Sequence, residues 1–336
     1  MKGQRGDQET RGRAENIHRN GDNVEGRRVE TSPASNQDSG LSRETSEHTS
    51  PRLPVSISPR PSSPPPSTFR PSKRLGQNFL RDTNVVERII RALNPQPDET
   101  IVEIGPGQGA LTGRLLEQAG SVIAVEFDRT LGPMLAEKFA DRQNFKLVQA
   151  DALQTDFCAE ISPASSARVV ANLPYNISTA IMQRLFEQRR CLTELVLMLQ
   201  KEVVERITAR AGSTERGYLS VMVEAYSEAE RLFDVAPGAF RPVPKVWSSV
   251  IRLKLDAKVR ARVENEELLW QVVSAGFSQR RKTILNNLRH APEPLQTKVK
   301  QHGGASIVLC VAGVDVQRRA ETLTLEEWAR IANAMA

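Results

Sequence analysis

The chain has 336 residues, with 46 Lys and Arg against 40 Asp and Glu, a formal net charge of +6, and 3 Cys. No stretch approaches the roughly 20 consecutive apolar residues that a membrane helix needs, and the first residues lack the apolar core of a secretory signal, so a soluble, unexported protein is expected. Cys158, Cys191 and Cys310 are odd in number and widely spaced, with no CxxC pair, which argues against a disulfide framework or a zinc site and for a reducing cytosol. The mild positive charge permits a polyanionic partner without requiring one.

Residues 1–72 contain nine Pro, twelve Ser and neither Trp nor Tyr. Such a segment buries too little to offset the entropy of ordering, so 1–72 is expected to be a disordered tail. Its acidic residues, among them Asp7, Glu9 and Glu15, argue against an organellar transit peptide. After Ser72 the composition changes abruptly. Val85, Val86, Ile89, Ile90 and Leu93 predict a helix from Asp82 to Leu93, with Asp82 or Thr83 as N-cap and Asn94-Pro95 as the stop. Short apolar runs predict strands at 100–104, 121–127, 145–149, 168–171 and 194–199, with helices over 110–119 and 130–140 between them. This rhythm predicts an α/β fold whose parallel sheet is covered on both faces. Ligands of such sheets bind at the carboxyl ends of the strands.

Unusual polar residues stand at those ends. Glu103-Ile104-Gly105-Pro106-Gly107-Gln108-Gly109 joins a strand to a helix, where glycines let the backbone turn tightly beside a ligand. The spacing is ExGxGxG and lacks the third-glycine position of the GxGxxG pyrophosphate fingerprint. Glu126 closes the second strand, where a carboxylate accepts both hydroxyl hydrogens of a ribose. Asp151-Ala152 closes the third and suits the exocyclic amine of an adenine. Taken singly, a strand-end glycine turns the chain, a strand-end Glu faces water and an Asp caps a helix. Together in this order they describe a pocket for an adenosyl group, and favour S-adenosylmethionine over NAD.

Asn172-Leu173-Pro174-Tyr175 follows the fourth strand. Asn172 offers a side-chain carbonyl, Pro174 fixes φ, and Tyr175 presents a ring that stacks on a base. A planar aromatic amine is a weak nucleophile because its lone pair is delocalised. Accepting its N–H bonds on an Asn oxygen and a backbone carbonyl favours the pyramidal form, and no strong general base is then needed.

These strings resemble the KsgA (RsmA) family of ribosomal RNA adenine N6-dimethyltransferases. The resemblance runs from Lys73 to near Ala336. It is carried by Leu75-Gly-Gln-Asn-Phe-Leu80, the ExGxGxG turn, Glu126, Asp151-Ala152, Asn172-Leu-Pro-Tyr-Asn-Ile-Ser-Thr179, Phe240-Arg-Pro-Val-Pro-Lys-Val-Trp-Ser248 and Phe277-Ser-Gln-Arg-Arg-Lys-Thr283. It implies a Rossmann-like methyltransferase domain over 73–255 and a small all-helical rRNA-binding domain over 256–336. It implies S-adenosylmethionine contacts at Asn78, Leu80, Gly105, Gly107, Glu126, Asp151, Ala152 and Asn172. Asn172, Leu173 and Pro174 would hold the target N6, with Tyr175 and Phe240 as the two faces of an aromatic clamp on a flipped-out base. Trp247 departs from the residue common at its position.

The implied reaction is transfer of two methyl groups to each of two adjacent adenosines in the 3′-terminal hairpin of small-subunit (16S) rRNA, in an immature 30S particle. A cytoplasmic monomer without metal or membrane attachment is expected. A strand at 249–255 is predicted, then helices over 264–277 and 283–288. Arg280, Arg281 and Lys282 between those helices, with Arg289, Arg318 and Arg319, read as an rRNA-gripping surface. Two alternatives are an rRNA methylase of the large subunit and a non-catalytic RNA-binding assembly factor. Leu173 disfavours the first, and the joint presence of Glu126, Asp151 and Asn172 disfavours the second.

Overall fold

The computed structural model describes residues 77–174 and 177–336. The expected tail over 1–72 lies outside the described residues, as does Tyr175. In chain order the elements are β1 (Phe79–Leu80), α1 (Thr83–Leu93), β2 (Thr100–Ile104), α2 (Thr112–Leu115), β3 (Ser121–Glu126), α3 (Leu131–Lys138), β4 (Phe145–Gln149) and α4 (Phe157–Glu160). They continue with β5 (Ala167–Asn172), α5 (Ser178–Glu187), β6 (Leu192–Gln200), α6 (Lys201–Ile207), α7 (Tyr218–Tyr226), β7 (Ser227–Val235), β8 (Phe240–Arg241) and β9 (Ser248–Leu255). Five helices close the chain: α8 (Glu266–Gly276), α9 (Ile284–Arg289), α10 (Leu295–Gln301), α11 (Ala305–Val311) and α12 (Leu325–Asn333).

Seven strands form one sheet in the order β4-β3-β2-β5-β6-β9-β7. The first five are parallel, and their apolar runs are buried because helices cover both faces. β9 runs antiparallel to both of its neighbours, β6 and β7, so the sheet is mixed rather than purely parallel. Side chains alternate between two cores. Val102, Val169 and Leu197 enter one with α4, α5, α7 and the C-terminal helices, while Ile101, Val170 and Val196 enter the other with α1, α2 and α3. β1 and β8 form a separate two-stranded ribbon, with Leu80 opposite Phe240.

Local chemistry explains the boundaries. The Asp82 carboxylate accepts from the N–H groups of Asn84 and Val85 and so starts α1; Asn94 at φ 48° ends it, donating to the Ile90 carbonyl at 2.7 Å. α2 is shorter than the expected 110–119, keeping helical geometry only over Thr112–Leu115. In α12, Thr324 and Glu327 form a capping box. Trp328 of that helix is fully buried against Gly276 of α8, where an added Cβ would lie 2.3 Å from the indole. The C-terminal helices share a hydrophobic core with one face of the sheet, so packing is continuous across the expected boundary at Asp256. Among the described residues no helix is long and apolar enough to cross a membrane.

The cysteine expectation is corrected. Cys158 of α4 and Cys191, one residue before β6, form a disulfide with Cα atoms 5.6 Å apart. Their separation of 33 residues carries no pairing signal; the fold brings them together by placing α4 against the end of α5. Buried Gln188 holds the same two segments, its Oε1 accepting from Phe157 N–H at 2.6 Å and its Nε2 donating to the Thr155 carbonyl at 2.9 Å.

Candidate active site

A cavity of about 250 Å³ opens at the carboxyl ends of the parallel strands. Each strand delivers a different group to its wall: β2 brings Gly105 and Gly107, β3 Glu126, β4 Asp151 and Ala152, and β5 Asn172, Leu173 and Pro174. Gln77, Asn78 and Phe79 line it from the N-terminal side of β1.

The glycine turn shapes the floor. Gly105 and Gly107 have φ of +66° and +59°, a region that disfavours any side chain. A Cβ on Gly107 would also lie 2.9 Å from the Phe79 ring. The Gly107 N–H donates to Glu126 Oε2 at 3.1 Å, and the Asp128 N–H donates to Oε1 at 2.8 Å. Both carboxylate oxygens are thereby fixed at the strand end. Burial pushes the Glu126 carboxyl above its ordinary range; those backbone N–H groups offset part of the shift, and the Asp128 charge adds to it. Asp128 itself is held below its usual range, because bonds from Thr130 and Gln77 outweigh its desolvation.

Glu103 lies on β2 just before the glycines, 2% exposed, and accepts from Thr112 Oγ1 at 2.6 Å. Desolvation pushes its carboxyl up to about 7 against the pull of that hydrogen bond. It ties the strand to α2 and is absent from the cavity lining.

Asp151 Oδ1 accepts from the Leu153 N–H at 2.9 Å, which orients its carboxylate beside Ala152. Asn172 Nδ2 donates to the Asn78 carbonyl at 3.1 Å. With one N–H of its nitrogen committed, the Asn172 amide keeps Oδ1 as its acceptor, and the residue lines the cavity.

Asn78, Gly105, Gly107, Glu126, Asp151, Ala152, Asn172, Leu173 and Pro174 thus come together around one cavity. The side chains of Leu80 and Phe240 are 6% and 1% exposed, lie opposite each other across the β1–β8 ribbon and pack in one core with Phe79, and neither lines the cavity. Sequence reasoning passed over Gln77, Phe79, Phe127 and Ile181, which supply much of the wall. Phe127 is 56% exposed directly after Glu126, and an apolar residue following a strand-end carboxylate is the signal that marks it.

A second cluster is basic. Arg280 donates to the Thr214 carbonyl, Gly212 N–H to the Glu321 carbonyl at 2.9 Å, and Ile284 N–H to the Arg318 carbonyl at 2.8 Å. These bonds gather three loops, and Arg210, Arg280, Arg281, Lys282 and Arg319 are exposed on them. Arg318 is not one of the free cations, because its guanidinium is taken up by Glu327 and Thr322. Arg289 stands at the far end of α9.

The cavity fits an adenosyl ligand by its donor set. The Glu126 carboxylate accepts hydroxyls, Asp151 accepts an amine, and Phe127 with Ile181 provides apolar contact for a base. A doubly wound sheet, a non-pyrophosphate glycine turn and strand-end carboxylates define an S-adenosylmethionine-dependent methyltransferase. The model of the ribosomal RNA adenine dimethylase family matches residues 68–335, and the chain belongs to that family. A ribosomal RNA small subunit methyltransferase A from Hahella chejuensis is 43% identical over 263 residues, covering 78% of this chain and 91% of the relative. The protein of that name from Alkaliphilus metalliredigens is 40% identical over 271 residues, covering 80% and 93%. Among solved structures, the 23S rRNA methyltransferase ErmE is 27% identical with a TM-score of 0.57, covering 77% of this chain and 99% of ErmE. A dimethyladenosine transferase from Plasmodium falciparum, 24% identical with a TM-score of 0.60 over 75% and 95%, shares the fold.

Proposed function

We propose that this rRNA adenine dimethylase modifies two adjacent adenosines in the 3′-terminal hairpin of small-subunit rRNA, acting as a cytoplasmic monomer on an immature 30S particle. The similarity to proteins named small subunit methyltransferase A, spanning more than nine-tenths of their length, supports the choice of subunit. The observation that supports the chemistry is the bond from Asn172 to the Asn78 carbonyl, which holds the amide nitrogen of a cavity-lining residue and leaves its oxygen as the acceptor.

S-adenosylmethionine, when bound, supplies an electrophilic methyl on a sulfonium. Glu126 would hold the ribose hydroxyls, Asp151 and Ala152 the adenine edge, and the glycine turn the remaining chain. Asn172 Oδ1 and the Pro174 carbonyl would each accept one N6–H bond of the target. That pair orients the nitrogen lone pair toward the cavity and lessens its conjugation with the ring. Pro174 has no N–H of its own to compete for those acceptors. Tyr175 is assigned the stacking role on the flipped base, and Arg280, Arg281 and Lys282 the phosphate contacts that position the hairpin. On this reading residues 73–255 do the chemistry and 256–336 hold the RNA.

The test is transfer of labelled methyl from S-adenosylmethionine to unmethylated small subunits, with mass spectrometry of the 3′-terminal hairpin and Asn172→Ala as control. Two dimethyladenosines that vanish in the variant are expected. Modification of large-subunit RNA alone would overturn the assignment of substrate, and binding of subunits without transfer would overturn the assignment of chemistry.

A further inference from the structure

We propose that Trp247 is a substrate-positioning residue on which an unpaired RNA base next to the target adenosine stacks. This rests on the reading that the target adenosine approaches Asn172. The chain has three tryptophans, and they differ in exposure. Trp328 is fully buried and Trp270 is half-buried, with its indole N–H donating to the Tyr226 hydroxyl. Trp247 is 51% exposed, between Val246 at 42% and the core residue Ser248; Val243 of the same loop is 55% exposed. Exposed aromatic surface beside exposed aliphatic surface costs solvation free energy unless something covers it.

The topology fixes where this loop stands. Asn172 pairs with Met198 of β6, and Met198 pairs with Val250 of β9. Trp247 precedes β9, and its carbonyl accepts from Lys201 N–H at 3.0 Å where β6 ends. Trp247 therefore lies at the same carboxyl edge as the cavity, two strands beyond β5 and about 14 Å from Asn172 by strand spacing. The cofactor groups occupy the β2, β3 and β4 ends on the other side of Asn172. At its other end the loop leaves β8, which pairs with β1 beside the cavity-lining Phe79. A strand of RNA entering the acceptor side of Asn172 meets this loop next.

The chemistry selects the occupant. From Phe240 to Ser248 there is no carboxylate, while Arg241 and Lys245 are exposed in the same loop. An exposed indole in a loop that carries two exposed cations matches a nucleobase with its phosphates, as on single-strand stacking platforms. The backbone of the loop is anchored without the indole, through buried Pro244 and the Ser248 register with Gln200 and Val235.

The test uses the full chain, unmethylated small subunits and an oligonucleotide of the 3′-terminal hairpin. Trp247→Ala is expected to raise the KM for RNA about tenfold, the scale of one lost base–aromatic stack, with kcat and the Kd for S-adenosylmethionine nearly unchanged. Trp247→Phe should restore KM to within about threefold of the wild type, because a phenyl ring also stacks. RNA should quench tryptophan emission in the wild type, and the quench should disappear in Trp247→Ala. An unchanged KM in Trp247→Ala, a Phe variant as impaired as the Ala variant, or a change confined to Tm or cofactor Kd would each overturn the proposal. A wild-type protein that methylates neither RNA would instead overturn the reading on which the proposal rests.

Discussion

The Asn172 side-chain amide donates to the backbone carbonyl of Asn78 at 3.1 Å, a bond between residues 94 positions apart. It holds the amide nitrogen and leaves the oxygen as the side chain's acceptor. Asn172→Asp replaces the donor by a carboxylate oxygen facing another oxygen, so the side chain must turn away. We expect kcat to fall about 10²- to 10³-fold in Asn172→Asp and Asn172→Ala, the scale of losing one positioned hydrogen-bonding group. The Kd for S-adenosylmethionine should change less than about tenfold. Single-turnover kinetics with isothermal titration separates the two, and a variant that keeps kcat would show that Asn172 does not hold the amine.

Glu126 is fixed by two backbone N–H groups, so truncating it removes the ribose acceptor and leaves Gly107 and Asp128 N–H groups unpaired. Glu126→Ala should weaken S-adenosylmethionine binding about 10- to 100-fold, as expected for about 1.5–3 kcal/mol of hydrogen bonding to a charged group. Titration calorimetry at fixed pH checks it. A near-normal Kd would place the ribose elsewhere.

Much of this site was legible because parallel strands announce themselves as apolar runs and the ligand groups sit at or just past the end of each run. Thr100–Ile104 and Phe145–Gln149 occur as read, and Asp82 caps α1 as its sequence position suggests. β7 escaped notice because Glu228 and Glu230 point to solvent at a sheet edge, leaving no apolar run. α6 and α7 were passed over between recognised motifs. The burial of the Phe240 and Leu80 side chains is not written in their motifs, because the pairing of the β1–β8 ribbon decides which way each faces. The Cys158–Cys191 pair and the Asn172–Asn78 bond are long-range contacts that only the folded topology creates.

Replacing Arg280, Arg281 and Lys282 by Ala removes three exposed cations from the surface shared with Arg210 and Arg319. If they contact phosphate, the KM for subunits rises about tenfold and the slope of log K against log salt becomes shallower by about 2. Cofactor binding should stay unchanged. Filter binding over a salt series reads the slope, and an identical slope would make the cluster a solvated surface.

The disulfide closes a loop of 33 residues spanning α4, β5 and α5. On the chain-entropy account, a loop of this length contributes about 3–4 kcal/mol. Urea denaturation with and without reductant should show that loss in the wild type and none in the Cys158→Ser, Cys191→Ser double variant. Because Gln188 also clips α4 to the end of α5, the reduced protein should remain folded. Identical midpoints in both conditions would mean that the cross-link adds nothing to stability.

Glu103 makes stability depend on pH in a direction opposite to that of a salt-bridged carboxylate. Its folded pKa is raised to about 7 by burial, against 4.5 for an ordinary Glu. Between those values the native state binds the proton and the unfolded state releases it, so stability from this group is complete below about pH 4.5 and is lost as pH rises to about 7. A shift of this size corresponds to about 3 kcal/mol. Glu103→Gln keeps the shape and an acceptor for Thr112 but carries no charge to bury. The variant should therefore match the wild type near pH 4.5 and exceed it by up to about 3 kcal/mol at pH 8. Parallel urea titrations across that range test this, and a constant difference between the two proteins would show that Glu103 is ionised throughout.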